Sequence, residues 1–299
     1  MRKGPGTWSA RTSGIGKISQ SAARLRWQSH LTLLLALSLG TAGIGLQGAA
    51  HLSSDPAVIL QALVLGAILG LLTWRFRAAT PAAASTGGLF AAALYLATPG
   101  WHTALWPLLT LMLLTFAATR FGRARKEKLG VAEARHGRTA AQVAANLGVA
   151  VMATIPLGLA RLMHLPAFFA GNAMHLAFVA ALAEAAADTL SSELGEVLGG
   201  EPRLLTTLRP VPAGTDGAIS AAGTFAGMSA AVAVAATAYF ALGLTPSQAA
   251  LVTLAAIAGL FIDSCLGAVF ERRGWLNNDA VNFLSTLAAA VLASALVGR

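Results

Sequence analysis

Nine long apolar stretches run through this chain, and almost no charge interrupts them. They cover residues 29–48, 57–73, 82–98, 103–119, 139–160, 166–187, 217–242, 249–268 and 280–297. A bilayer core about 30 Å thick is crossed by about 20 apolar residues in a helix. The stretches are continuous rather than alternating, which argues against a strand barrel. Charged residues make up 11% of the chain and mean hydropathy is +0.67. A soluble domain carries about 25% charge. A soluble globular enzyme, a disordered chain and a nucleic-acid-binding domain are therefore excluded. The isoelectric point near 11 would suggest nucleic acid only in a chain that stays in water. The fold expected is all-α, a polytopic transmembrane helical bundle of seven to nine spans. The third and fourth stretches are short and separated only by Thr98–His102, so either is open to a re-entrant reading. Abundant Ala and Gly allow helices to approach closely in lipid. The single cysteine, Cys265, excludes an intrachain disulfide and a cysteine-built zinc site.

The few charges sort by side. Arg2, Lys3, Arg11, Lys17, Arg24 and Arg26 precede the first stretch, and Arg75 and Arg77 follow the second. Seven basic residues lie between Arg120 and Arg138, and Arg203, Arg209, Arg272 and Arg273 lie in later loops of the same parity. With nine spans, 19 of the 21 Lys and Arg fall on one side, leaving Arg161 and Arg299 on the other. The positive-inside rule makes the crowded side cytoplasmic, with the N-terminus. The expected membrane is the cell (inner) membrane. Residues 1–28 read as a basic cytoplasmic arm on anionic lipid. They fit a signal peptide poorly, because no small-residue cleavage site closes a short apolar region. Residues 29–299 form the membrane domain, with inner loops expected at about 120–138 and 188–216.

The acids repeat the pattern. Only Asp55 falls in an outer loop, while Glu184, Asp188 and Asp263 lie within or at the inner ends of apolar stretches. Ionisable groups inside a membrane segment face a bundle interior or a wet cavity. Three on one side suggest a polar site open to the cytoplasm. Glu184 and Asp188, four apart, share a helix face. If that helix persists, Ser191, Ser192, Glu193 and Glu196 extend the cluster. Oxygen donors gathered this way suit Mg²⁺; solvated acids at a helix end are the plainer alternative. Asp188-Thr189 and Ile262-Asp263-Ser264 are weak echoes of one another, which would set two aspartates on either side of one site. For Asp263 alone, a structural hydrogen bond to a neighbouring helix is the alternative.

The stretch Arg209-Pro210-Val211-Pro212-Ala213-Gly214-Thr215-Asp216-Gly217 places two glycines around Thr215-Asp216 just before a helix. Glycine permits close backbone approach, and a helix N-terminus offers free N–H groups to phosphate. Asp216 could instead cap that helix. Gly137-Arg138 before the fifth stretch is a second candidate phosphate contact. Gln142 and Asn146, four apart within that stretch, are candidate site groups or interhelical hydrogen-bond partners. Asn172 with His175, and His102 and His164, read as ordinary helix or outer-loop residues. The chain carries no P-loop, zincin or hydrolase-elbow motif.

Gly137-Arg138-Thr139 with Gln142 and Asn146, Asp188-Thr189 with Ser192-Glu193-Leu194-Gly195, Val211-Pro212 with Gly214-Thr215-Asp216-Gly217, Asp263-Ser264 and Asn282 stand together, after Gly87-Gly88 and Gly122 with Lys126, Lys128 and Gly130. In these blocks, over about residues 85–285, the sequence resembles the transmembrane protein 19 family, an integral membrane family that includes phytyl-phosphate kinase. The resemblance implies phosphorylation of an isoprenoid monophosphate to a diphosphate, with Mg²⁺ and a nucleoside triphosphate, CTP or ATP. On that reading Asp188, Glu193 and Asp263 hold Mg²⁺, and Glu184 is a candidate base. Gly214, Thr215, Asp216 and Gly217 would cradle phosphates, Arg138, Arg209 and Lys126 would neutralise them, and Gln142, Asn146 and Asn282 would be polar groups within the membrane. The expected partners are membrane lipid and the isoprenoid phosphate, not nucleic acid; the sequence names no protein partner. Two alternatives stay open: a transporter or flippase of an isoprenoid or anionic lipid, and a lipid-phosphate cytidylyltransferase.

Overall fold

A computed structural model describes residues 25–52, 54–132, 136–165 and 171–297. The first 24 residues of the basic arm, Glu133 and Arg135, residues 166–170 of the sixth stretch, and Arg299 lie outside the described residues. The rest is helical apart from one two-stranded pairing and short connections. In order come α1 (Arg26–Leu52), α2 (Ala57–Arg75), α3 (Pro81–Ala97), α4 (Leu105–Arg120), the short α5 (Arg123–Leu129), α6 (Ala140–Met152), α7 (Ile155–Leu162) and α8 (Gly171–Leu198). Then follow β1 (Arg203–Leu204), β2 (Ala218–Ile219), α9 (Ala221–Leu242), α10 (Pro246–Leu266) with a π-helical turn at Gly267–Glu271, and α11 (Asn278–Ala295). Every expected apolar stretch holds a helix.

Side chains at the helix starts set the boundaries. Thr80 accepts from the Ala83 N–H, with Pro81 in the first turn of α3. Thr139 and Gln142 form a reciprocal capping box at α6, and Thr245 and Gln248 another at α10. Ser220 caps α9 and Asn277 caps α11. Such caps satisfy N–H groups that a helix start leaves without intrahelical partners.

The passes alternate in direction. At one end, Gln28 near the start of α1 donates to the Trp275 carbonyl, the Arg138 carbonyl accepts from Thr80 N–H, and Arg120 donates to the Phe76 carbonyl. At the far end, His51 bonds the Leu96 carbonyl and His102 the Ala241 carbonyl. The third and fourth stretches each hold a helix that connects the two ends of the bundle. Six helical segments among the described residues are long and apolar enough to cross by themselves, and a seventh counts if α4 and α5, bent by 62°, form one span. At 17 residues, α3 is a turn shorter than the usual span. Exposed tryptophans mark both ends: Trp27, Trp74 and Trp275 at the first, Trp101 and Trp106 at the far one. Indole rings favour the two membrane interfaces.

The core centres on α8, which packs against α4, α6, α9, α10 and α11. Its middle is lined with alanine and buried from Leu176 to Ala187. By contrast α1 and α2 turn leucines outward. Among peripheral contacts, α2 meets α3 through Gly66, Gly70 and Gly88. A Cβ on Gly66 would stand 2.4 Å from the Gly88 carbonyl oxygen, so only glycine admits this approach.

Two boundaries differ from expectation. The helix expected to end near residue 187 continues to Leu198, so the loop expected at 188–216 is eleven residues shorter at its start. The helix expected from 217 begins at Ala221, because Ala218–Ile219 pairs antiparallel with Arg203–Leu204.

Candidate functional site

A cavity of about 270 Å³ opens at the end of the bundle where the basic loops gather. Its wall combines α6, the last turns of α8, the 213–220 segment, the end of α10 with its π-turn, and the start of α11. Six carboxylates line it: Asp188, Glu193, Glu196, Asp216, Asp263 and Glu271. Arg138 is the single basic residue among the lining groups. Such a cavity repels a bare anion and attracts cations.

The persistence of α8 past Asp188 keeps Ser191, Ser192 and Glu193 on the wall. Ser192 donates to the Asp188 carbonyl at 3.0 Å, within its own helix. Asp263 arrives from α10 and lines the same cavity as Asp188. Ser285 of α11 donates to Asp263 Oδ2 at 3.2 Å. Two aspartates distant in sequence thus share one site. Glu184 lies below them, 1% exposed, with its Cγ against the bare Cα of Gly259; a Cβ there would stand 2.6 Å away. Its Oε1 is buried without a hydrogen-bond partner among the described residues. Glu184 is therefore a floor residue, not a lining one.

Arg138 is fixed by its backbone. Its N–H donates to the Ala78 carbonyl and its own carbonyl accepts from Thr80, both at 3.0 Å. Its guanidinium donates to Thr189 Oγ1 at 3.3 Å and otherwise faces the cavity. Gln142 closes the α6 capping box and Asn146 donates to the Gln142 carbonyl at 2.8 Å, both within α6 rather than across helices. Both line the cavity, as does Asn282.

Gly214, Thr215, Asp216 and Gly217 reach the wall. Gly217 has φ +71°, and a Cβ on it would lie 2.2 Å from the Ala268 amide nitrogen. This glycine seats the segment on the π-turn. Asp216 does not cap α9; Ser220 does, because the short strand pairing delays the helix. Burial pushes the Asp216 carboxyl above the usual carboxylate range, and Arg272 opposes that rise.

Two expected phosphate contacts do not reach the cavity. Arg209 is exposed, in the turn where its carbonyl accepts from Leu204 N–H. Lys126 is 0% exposed: its ammonium donates to the Ala118 and Thr119 carbonyls and to the Glu193 carboxylate. Among the described residues no three His, Cys, Asp or Glu side chains converge as a ready metal cage. Sequence reasoning passed over Ser285 and Asn278, which join Asn282 on one face of α11 at helical spacing. That polar stripe in an apolar pass was the available signal.

A polar, acid-lined cavity sunk into one end of a multi-pass helical bundle defines the class, a polytopic integral membrane protein. The chain belongs to the integral membrane protein family DUF92, which residues 64–290 match. It is 32% identical over 234 residues to the chloroplastic VTE6 protein of Arabidopsis thaliana, covering 76% of this chain and 61% of that one. An uncharacterized membrane protein of Methanocaldococcus jannaschii is 39% identical over 126 residues, 42% of this chain and 52% of that one. One from Synechocystis is 33% identical over 182 residues, 59% of this chain and 67% of that one. The chain thus spans between half and two thirds of these relatives' lengths. No solved structure matches it.

Proposed function

We propose that the cavity is the phosphoryl-transfer site of a membrane-embedded kinase that converts an isoprenoid, phytyl-type monophosphate to its diphosphate. The donor is a nucleoside triphosphate, CTP or ATP, and the site faces the cytoplasm with the N-terminus. The resemblance to the family that includes phytyl-phosphate kinase supports the substrate class. One observation carries the reading: Asp188 and Asp263 line one acid-rich cavity together with a backbone-fixed arginine.

Phosphoryl transfer needs positioning and charge neutralisation more than covalent help from the protein. An NTP and a lipid phosphate enter this acidic cavity only with divalent cations. Mg²⁺ takes one or two carboxylates and keeps waters and substrate oxygens for the rest. Asp188 and Asp263 supply that pair, with Ser285 beside them and the unpartnered Glu184 oxygen below, so the donor set fits an open Mg²⁺ site. Glu193 shares the wall but is engaged by Lys126, which narrows the three-carboxylate set expected from sequence. When bound, Mg²⁺ neutralises charge on the phosphates. Arg138 neutralises a further phosphate oxygen, and the 214–217 backbone, which also lines the cavity, bounds the phosphates. Since the lining is polar, the isoprenoid tail lies outside it, among the helices.

The test is turnover of phytyl, farnesyl and geranylgeranyl monophosphates by purified protein with CTP or ATP and Mg²⁺. Diphosphate formation that disappears in Asp188→Ala supports the reading. No diphosphate with any nucleotide, or full turnover in Asp188→Ala, overturns it.

A further inference from the structure

Lys126 stands apart from the other cations of the basic loops. It is wholly buried, and its three N–H groups meet three acceptors: the carbonyls of Ala118 and Thr119, in the last turn of α4, and the Glu193 carboxylate. The two carbonyls are among those that a helix end leaves without intrahelical partners. A single ammonium therefore closes the end of α4 and grips a cavity-wall carboxylate on α8. The elbow between α4 and α5 brings it there. Gly122, at φ +61°, opens the 62° bend, and a Cβ on it would stand 2.6 Å from a Val197 methyl carbon. Val197 and Glu193 are one helical turn apart on α8, so α5 docks on that helix at two neighbouring points.

We propose that Lys126 is a positioning residue: it fixes the Glu193 carboxylate at the cavity wall and ties the inner elbow to the site, without touching phosphate. Its consequence for turnover rests on the kinase reading; its hold on Glu193 does not. A buried ammonium whose three donors are all taken has none left for a substrate oxygen. Breaking one side of a buried pair is costly, whereas replacing both sides with apolar residues of similar volume is often neutral.

The experiment is a double-mutant cycle of K126M, E193M and K126M/E193M, with K126R as the conservative variant. Thermal unfolding and turnover of phytyl monophosphate with Mg²⁺ and CTP or ATP are both measured. K126M is expected to lower the melting temperature, and the double variant to return toward wild type. In K126M, kcat falls about tenfold, the scale for a residue that orients a site group, while the nucleotide KM stays within about twofold. The double variant remains slow despite its recovered stability, and K126R, which keeps a cation and donors, regains part of kcat. A raised nucleotide KM with kcat retained in K126M makes Lys126 a phosphate contact and overturns the proposal. So does a double variant that recovers both stability and kcat, since the pair is then scaffolding only. Independent, additive thermal effects overturn it as well. If wild-type protein forms no diphosphate, the proposed kinase activity fails, and the thermal cycle still decides whether Lys126 holds Glu193.

Discussion

Arg161 and Arg138 sit at opposite ends of one bundle and are used in opposite ways. Arg161, on α7 at the far end, donates to Gln47 Oε1 at 2.6 Å, to the Leu96 carbonyl at 3.0 Å and to the Ala97 carbonyl. The last two belong to the closing turn of α3, the short helix whose end needs partners where water is scarce. Arg161 is thus a cap supplied by another helix. Arg138 is held by its backbone and bonds one side-chain oxygen, on Thr189, leaving the rest of its guanidinium over the cavity. A charge whose donors end on backbone carbonyls builds the fold. A charge fixed at its backbone and held over open, acid-lined space is available to a ligand. Lys126 belongs with Arg161 by this criterion although it lies at the cavity end, and the contrast separates roles that position along the chain does not.

The largest effect should come from the cavity aspartates. Asp188→Ala or Asp263→Ala is expected to bring phosphotransfer to background while the melting temperature changes little, checked by diphosphate formation and thermal unfolding on the same preparation. Loss of fold without prior loss of turnover would break the contrast. Next, Arg138→Met should reduce turnover by about a thousandfold, the lower range for a charge-neutralising arginine in phosphoryl transfer, with the fold kept. Arg161→Met should do the reverse. Hydrogen bonds to a charged group are worth about 1.5–3 kcal/mol each and Arg161 makes three, so a loss of at least about 4 kcal/mol in stability with unchanged kcat is expected from denaturation and steady-state kinetics. The smallest effect concerns Asp216. Its carboxyl is raised by burial, so the folded protein holds that proton more tightly than the unfolded chain. Stability should therefore fall as pH rises from the ordinary carboxylate range through the raised value. Asp216→Asn should flatten that slope in pH-resolved thermal unfolding, and a steeper slope would count against the assignment.

Much of this contrast was legible in the sequence. The placement of a helix in each apolar stretch follows from run length, because only a helix satisfies its own backbone in lipid. The meeting of Asp188 and Asp263 was foreseeable because so few carboxylates interrupt the apolar runs. The extension of α8 was not, since Ser191–Leu198 is polar enough to read as a solvated loop and is helical through its contacts. Lys126 looked like any other cation of a basic loop; its partner Glu193 is 67 residues away, and only packing reveals the pair. Asp216 and Ser220 are both good capping types. The choice between them depends on the pairing of residues 218–219 with 203–204, which local sequence does not announce. Arg209 was misplaced for the same reason, its turn being set by that pairing.

The most direct test of the central claim is the identity of what leaves the nucleotide. Purified protein in lipid nanodiscs is supplied with phytyl monophosphate, Mg²⁺ and CTP or ATP, and the released product is identified. The account predicts a nucleoside diphosphate formed in equal amount with the isoprenoid diphosphate. Release of pyrophosphate with a nucleotide-linked lipid, or lipid movement across the membrane with no nucleotide consumed, would contradict it.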